Sequence, residues 1–277
     1  MNNSNKKYLI ALDLDGTLLN DEKTISPLNK KVLTYLESLG HVIVLCSGRA
    51  LRSVTFYHEL LGLKKSPVIA YNGHLVINTH DNNFPKVSYL LNKDTVISIY
   101  KELNEKDLIT CGMSENLTTI YCDDPEDYFL FAFYDTKNMV VKQGLLNKNI
   151  CEDLYTCVFR YDENARKQEQ IQKVVDKHND VNIRFRYGGN YCELYIKDVS
   201  KARAISHVAS YYDIDQDNII TFGDSDNDKE MLRDFKNSYL MKNGNPTLKP
   251  YAHNITSYTN SDDGVAIELI KFFNLKI

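Results

Sequence analysis

The apolar run Tyr8-Leu9-Ile10-Ala11-Leu12 breaks abruptly into Asp13-Leu14-Asp15-Gly16-Thr17, and no other feature of the chain restricts its fold as much. A short, unbroken apolar run closed by turn residues reads as a strand buried on both faces, as in parallel sheets. Two carboxylates then emerge at its carboxyl end, where open α/β sheets keep their ligand crevice. Carboxylates two residues apart repel unless a cation or a shared proton intervenes. The pair is therefore a candidate magnesium holder and a candidate covalent nucleophile. Asp-Gly after a strand is also a common turn signal, and the stretch alone does not separate the two.

The alternation of strand and helix continues. Ser26-Pro27 offers a hydroxyl cap followed by proline in the first helical turn. Leu28, Val32, Leu33, Leu36 and Leu39 share one helical face, and Gly40 ends it. His41–Cys46 reads as a second buried strand, ending in Ser47-Gly48-Arg49. A helix to about Leu61 and a third strand at Pro67–Tyr71 follow. Such repeats imply a parallel sheet with right-handed crossovers.

After Asn72-Gly73 the rhythm changes. Tyr128–Tyr134 is strongly strand-like by propensity, and Val181–Tyr187, Gly188-Gly189-Asn190 and Tyr191–Ile196 read as a hairpin. Residues 82–195 are expected to form an α+β, mostly antiparallel domain inserted into the first, with junctions near Asn78–Phe84 and Ile196–Ser200. The α/β rhythm then resumes. A helix runs from Lys201 to about Tyr212, and a strand at Asn218–Phe222 leads into Gly223-Asp224-Ser225-Asp226-Asn227-Asp228. Strands at Ser238–Met241 and Ile255–Tyr258 and a helix at Val265–Phe273 close the chain. The expected fold is α/β: a Rossmann-like, doubly wound parallel sheet core from residues 1–81 and 196–277, carrying an inserted α+β domain.

A net charge of −4 gives no reason to expect nucleic acid or an anionic membrane as partner. There is no 18-residue apolar stretch, and polar Met1–Lys7 lacks the apolar segment of a signal peptide. A cytoplasmic location is expected. The six scattered cysteines, with no C-x-x-C pair, read as free thiols.

Taken singly, the polar strand ends are ambiguous. Ser47-Gly48 before a helix is more often a cap, Lys201 a solvated lysine, and the Asp224–Asp228 run an acidic loop. A calcium loop is excluded because its glycine and glutamate positions are not met. Together and in order, Asp13-Leu14-Asp15-Gly16-Thr17, Ser47-Gly48-Arg49, Ser200-Lys201 and Gly223–Asp228 resemble the four motifs of the haloacid dehalogenase-type (HAD) phosphohydrolases. The insert after the third strand is similar to the C2B cap of the Cof-type subgroup. The resemblance spans nearly the whole chain. Small departures are Ser47 where threonine is commoner, Ala202 where glycine is commoner, and Met241-Lys242-Asn243-Gly244 in place of Met-Gly-Asn-Ala.

The resemblance implies a two-step phosphoryl transfer. Asp13 attacks phosphorus and carries an aspartyl-phosphate. Asp15 protonates the leaving alcohol and then deprotonates water, with neighbouring negative charge expected to raise its pKa. Mg2+ is held by Asp13, the backbone carbonyl of Asp15 and Asp224, with Asp228 supporting it directly or through a neighbour. Ser47, the amides of Leu14 and Gly48, Lys201 and Asn227 cradle the phosphoryl oxygens. Arg49 is expected to anchor structure near the site. In the cap hairpin, Arg184, Arg186 and Tyr187 are candidates for contacting the rest of the substrate, against the plainer reading of an exposed, solubilising hairpin. The implied activity is a phosphatase of small phosphorylated metabolites, such as sugar phosphates or phosphorylated cofactors. The alternatives are a hexose-phosphate phosphomutase and a non-catalytic sensor. A large cap makes a lid from a second subunit unnecessary, so a monomer is expected.

Overall fold

The structure, a computed structural model, describes residues 6–63, 66–126, 138–162 and 164–276. The aromatic run Tyr128–Tyr134, expected to be a strand, lies outside the described residues. The chain begins with β1 (Leu9–Leu12), α1 (Pro27–Ser38), β2 (Val42–Cys46), α2 (Leu51–Leu61), β3 (Val68–Ala70), β4 (Leu75–Ile77) and β5 (Val87–Ser88). Next come α3 (Lys93–Glu105), β6 (Cys111–Glu115), β7 (Thr119–Cys122), β8 (Val140–Gln143), α4 (Leu146–Asn149), β9 (Thr156–Arg160), α5 (Ala165–Val175), β10 (Val181–Phe185) and β11 (Tyr191–Ile196). The last part supplies α6 (Lys201–Tyr211), β12 (Ile219–Gly223), α7 (Lys229–Asp234), β13 (Asn237–Leu240), β14 (Asn254–Ile255) and α8 (Gly264–Phe273).

Two compact units result: one joins the chain up to Val87 with the chain from Ser200 onward, and the other is Ser88–Val199. The first junction falls later than residue 81 for a packing reason. Phe84 is buried in the core unit's apolar cluster, and Val87 packs against that cluster.

In the core unit the strands run in the order β14-β13-β12-β1-β2-β3-β4-β5. The six from β14 to β3 are parallel, and β4 returns antiparallel to β3. Successive side chains of a strand point to opposite faces. Leu9 and Ala11 pack with Val42, Val44 and Cys46 against Ile205 and Val208 of α6 and Met231 of α7. The alternate residues Ile10, Leu12, Ile43 and Leu45 are equally buried on the other face. That double burial is why these strands read as unbroken apolar runs. Ser26 caps α1 by accepting from Asn29 N–H, and left-handed Gly62 stops α2.

The insert has its own six-stranded sheet, β10-β11-β9-β6-β7-β8, antiparallel except for the β7–β8 pair. Tyr100, Tyr121, Phe159, Ile171 and Leu194 contribute to its separate apolar core. Among the described residues no helix is long and apolar enough to cross a membrane. All six cysteines are free, and only Cys151 is exposed.

Candidate active site

Parallel pairing of β12, β1 and β2 brings the ends of three neighbouring strands to one sheet edge. Asp13 follows β1, Ser47 follows β2 and Asp224 follows β12. The amide of Asp13 extends the ladder by one bond, donating to Phe222 O at 3.1 Å. The chain then turns at Gly16, whose φ is +71°. A Cβ there would lie 2.5 Å from Asp224 Oδ2, so glycine is required both by the backbone and by the approach of the second acidic loop. Thr17 Oγ1 reaches Asp224 Oδ1 at 3.3 Å.

Lys201 is the first residue of α6, just after its cap Ser200. Its side chain is fully buried, and Nζ lies 2.6 Å from Asp13 Oδ1 and 2.7 Å from Asp228 Oδ1. The other oxygen of Asp228 accepts the amides of Asp224 at 2.8 Å and Ser225 at 3.0 Å. Asp228 therefore fastens both the lysine and the Asp224 loop. One carboxylate oxygen from each of Asp13, Asp224 and Asp228 lies within 4.8 Å of the others. Three carboxylates against one ammonium leave two formal negative charges, a set of hard oxygen donors that suits a divalent cation. Burial, opposed by Lys201 and reinforced by Asp228, pushes the Asp13 pKa up to about 7. Burial alone would lower Lys201, but its two carboxylates outweigh it and hold the ammonium well above its usual range.

Asp15 has different company. Arg49 grips it with two bonds, Nε to Oδ2 at 2.5 Å and Nη2 to Oδ1 at 2.7 Å, and Lys23 Nζ adds a third at 3.0 Å. Arg49 is 6% exposed, its guanidinium 5.4 Å from the Tyr57 ring centre, while Tyr57 Oη donates to the carbonyl of Lys23. The expectation that neighbouring negative charge raises Asp15 is overturned. Burial acts upward, but Arg49 and then Lys23 outweigh it, and the carboxyl is held below its ordinary value. Arg49, read from sequence as a local anchor, closes directly on the carboxylate that the resemblance makes the acid–base group.

Ser47 is buried, and its Oγ accepts the Arg49 amide at 3.2 Å. Leu14 is buried beside Asp13. Asn227 Nδ2 donates to Asn72 Oδ1 at 2.8 Å. Asn72 lies in the tight turn Tyr71–Gly73 that ends β3, where a longer strand was expected. Asn243 secures the other side, donating to the carbonyl of Gly16 at 2.8 Å and accepting the amide of Asn260. The core residues read from sequence (Asp13, Leu14, Asp15, Ser47, Gly48, Lys201, Asp224, Asn227 and Asp228) thus all lie in the core unit around these strand ends.

Arg184, Arg186 and Tyr187 belong to the insert, on β10 and the turn after it. The Arg184 side chain is 13% exposed, pairs with Glu193 at 3.6 Å and lies 4.6 Å from the Tyr195 ring centre. Arg186 stacks at 5.2 Å on Tyr191, whose hydroxyl accepts from its Nη1. Tyr187 is 58% exposed. Both arginines are engaged within their own hairpin. Lys23 and Asn72 escaped the sequence reading. A polar residue at the end of a third apolar strand was the available signal for Asn72; nothing local marks Lys23.

A family model described as haloacid dehalogenase-like hydrolase matches residues 10–269. The chain is 31% identical over 277 residues to the 5-amino-6-(5-phospho-D-ribitylamino)uracil phosphatase YitU of Bacillus subtilis, covering 98% of this chain and 99% of that one. It is 27% identical over 244 residues to the phosphatase of the same name, YbjI, of Escherichia coli, covering 85% of each. Among solved structures, a haloacid dehalogenase-like hydrolase from Bacteroides thetaiotaomicron superposes with a TM-score of 0.78 at 24% identity, over 97% of this chain and all of that one.

Proposed function

The chain belongs to the haloacid dehalogenase-like hydrolases, and from that premise we propose that it is a magnesium-dependent phosphatase of small phosphorylated metabolites, working through an aspartyl-phosphate. The observation that carries the proposal is the Asp13 carboxylate, buried at a strand end against Lys201 and beside Asp224 and Asp228.

In the first step an Asp13 oxygen attacks phosphorus and the ester oxygen leaves with a proton from Asp15. In the second, Asp15 takes a proton from water, which attacks the phosphoryl group and frees Asp13. Lys201 favours the ionised Asp13 that attacks and offers charge to the phosphoryl oxygens, joined by Ser47, the amides of Leu14 and Gly48, and Asn227. The Arg49 and Lys23 contacts keep Asp15 ionised, the form that the second step requires. The first step requires the protonated form, so Asp15 must leave those cations before the leaving group departs. Asp13, Asp224 and the Asp15 carbonyl would hold magnesium, and Asp228 would support it through Lys201 and the loop amides it binds. When bound, the ion neutralises charge on the transferring group.

The two relatives carry a shared substrate name, a phosphorylated polyol on a pyrimidine. That compound belongs at the head of a panel that also includes sugar phosphates and phosphorylated cofactors. Release of inorganic phosphate should require magnesium, stop with EDTA and vanish in Asp13→Asn with the fold intact. Substantial turnover by that variant would sink the covalent mechanism. Isomerisation of a hexose phosphate without phosphate release, or binding without turnover at millimolar magnesium, would replace the phosphatase reading.

A further inference from the structure

The Tyr71–Gly73 turn touches three of the four motifs and belongs to none. Its residues have φ of 50°, 55° and 101°, a left-handed run in which two residues carry side chains. Such a run persists only where its surroundings over-determine it. Here the amide of Tyr71 donates to Arg49 O at 3.0 Å, and that of Asn72 donates to Ser47 O at 3.0 Å. A Cβ on Gly73 would lie 2.5 Å from the carbonyl oxygen of Ser200, the residue before Lys201. Asn72 itself is 5% exposed, and its Oδ1 receives Asn227 Nδ2. A Cβ on Gly48 would lie 3.0 Å from both the nitrogen and the oxygen of the Asn72 amide.

We propose that Asn72 is a positioning residue of the phosphate site, locking the Asn227 carboxamide so that its N–H, and not its oxygen, faces the phosphoryl group. The inference rests on the phosphoryl-transfer reading of the site. A carboxamide has a donor end and an acceptor end of nearly equal shape. Toward a phosphoryl oxygen the two are opposites: one bonds and the other repels. In the structure Asn72 presents its oxygen to the Asn227 nitrogen, which keeps a second hydrogen for the substrate. The sole competing account is that position 72 needs asparagine because it tolerates left-handed backbone.

Asn72→Gly separates the two accounts, because glycine keeps that backbone and deletes the amide. The measurements are the inhibition constant of inorganic phosphate, kcat and KM for an aryl phosphate, and the melting temperature. They are made on wild type, Asn72→Gly, Asn227→Ala and the double variant. The expected result is about tenfold weaker phosphate binding in Asn72→Gly, in the range of one hydrogen bond to a charged group. The double variant should bind no worse than Asn227→Ala alone. Wild-type phosphate affinity in Asn72→Gly overturns the inference. So does a loss that persists undiminished in the Asn227→Ala background, with or without a lower melting temperature. Wild-type protein that neither binds phosphate nor releases it defeats the phosphatase reading, and the inference with it.

Discussion

Asp13 in the core unit and Asp123 in the insert are both shielded carboxylates, and their neighbours differ in kind. Asp13 faces the Lys201 ammonium and the second carboxylate Asp228. Among the described residues, Asp123, just past β7, meets only neutral donors: Tyr100 Oη at 3.1 Å from both of its oxygens, Gly112 N–H at 2.8 Å and Leu146 N–H at 3.2 Å. Burial raises the pKa of each, and the donors around Asp123 work against that rise. The neutral set ties α3, β6, β7 and α4 together. The charged set leaves a negative surplus, which suits a further cation. The same side chain ties elements together in one unit and gathers charge in the other, and the difference lies in the charge of its partners.

The largest expected effect follows from removing the cation. Lys201→Met strands Asp13 and Asp228 in a buried pocket, and unfolding titrations should show a loss of about 3–5 kcal/mol. A loss below ~1 kcal/mol would mean that the charges are not held as tightly as the distances imply. His58 of α2 tests the burial of a titratable ring. It is 1% exposed, its ring 5.9 Å from that of His80, and burial, then His80, lowers its pKa from 6.5 to about 4. The unfolded chain takes up this proton first. The destabilisation is therefore absent above pH 6.5, grows as pH falls, and levels off below pH 4 at about 3 kcal/mol. His58→Phe should flatten that part of the stability–pH curve.

Asp123→Asn sharpens the comparison directly. It turns an acceptor into a donor against N–H and O–H groups, and should cost about 1–3 kcal/mol while leaving kcat for an aryl phosphate unchanged. Asp13→Asn should do the reverse, removing turnover with little change in melting temperature. The smallest effect belongs to helix caps. Ser26→Ala in the core unit and Asn164→Ala in the insert should each cost about 1 kcal/mol by denaturant unfolding. A larger loss at Ser26 would measure the bond that its hydroxyl also donates to Asp263.

The parts of the fold visible in the sequence are those set by local periodicity. The apolar run before Asp13, the Ser26-Pro27 start and the Val181–Ile196 hairpin depend on neighbours in the chain. The strand ends carrying Asp13, Ser47 and Asp224 follow from the rule that parallel strands share a crevice. The clasp on Asp15 does not follow from any such rule. Arg49 reaches it because α2 starts where Ala50 caps it, and Lys23 reaches it because a loop residue turns left-handed at φ 58°. Asn72 was hidden for the same reason: a strand was expected to run through Tyr71, and tertiary contacts bend it into a turn instead. In the insert, Arg184 and Arg186 could be seen as charges on a hairpin, but their stacking on Tyr195 and Tyr191 depends on cross-strand register.

The pairing of β1 with β12, Leu9 opposite Ile219, has a consequence for how the molecule is made. During synthesis Asp13 emerges ahead of the insert, and the strand beside it arrives only after the whole insert has been made. Ser88–Val199 has a sheet and an apolar core of its own, and domains generally fold as units. Through that interval β1 has one permanent neighbour instead of two, and a strand apolar on both faces waits with an open edge. The candidate site is therefore incomplete until β12 has followed the insert, and a chain stalled before Ile219 would leave β1 with an unpaired edge.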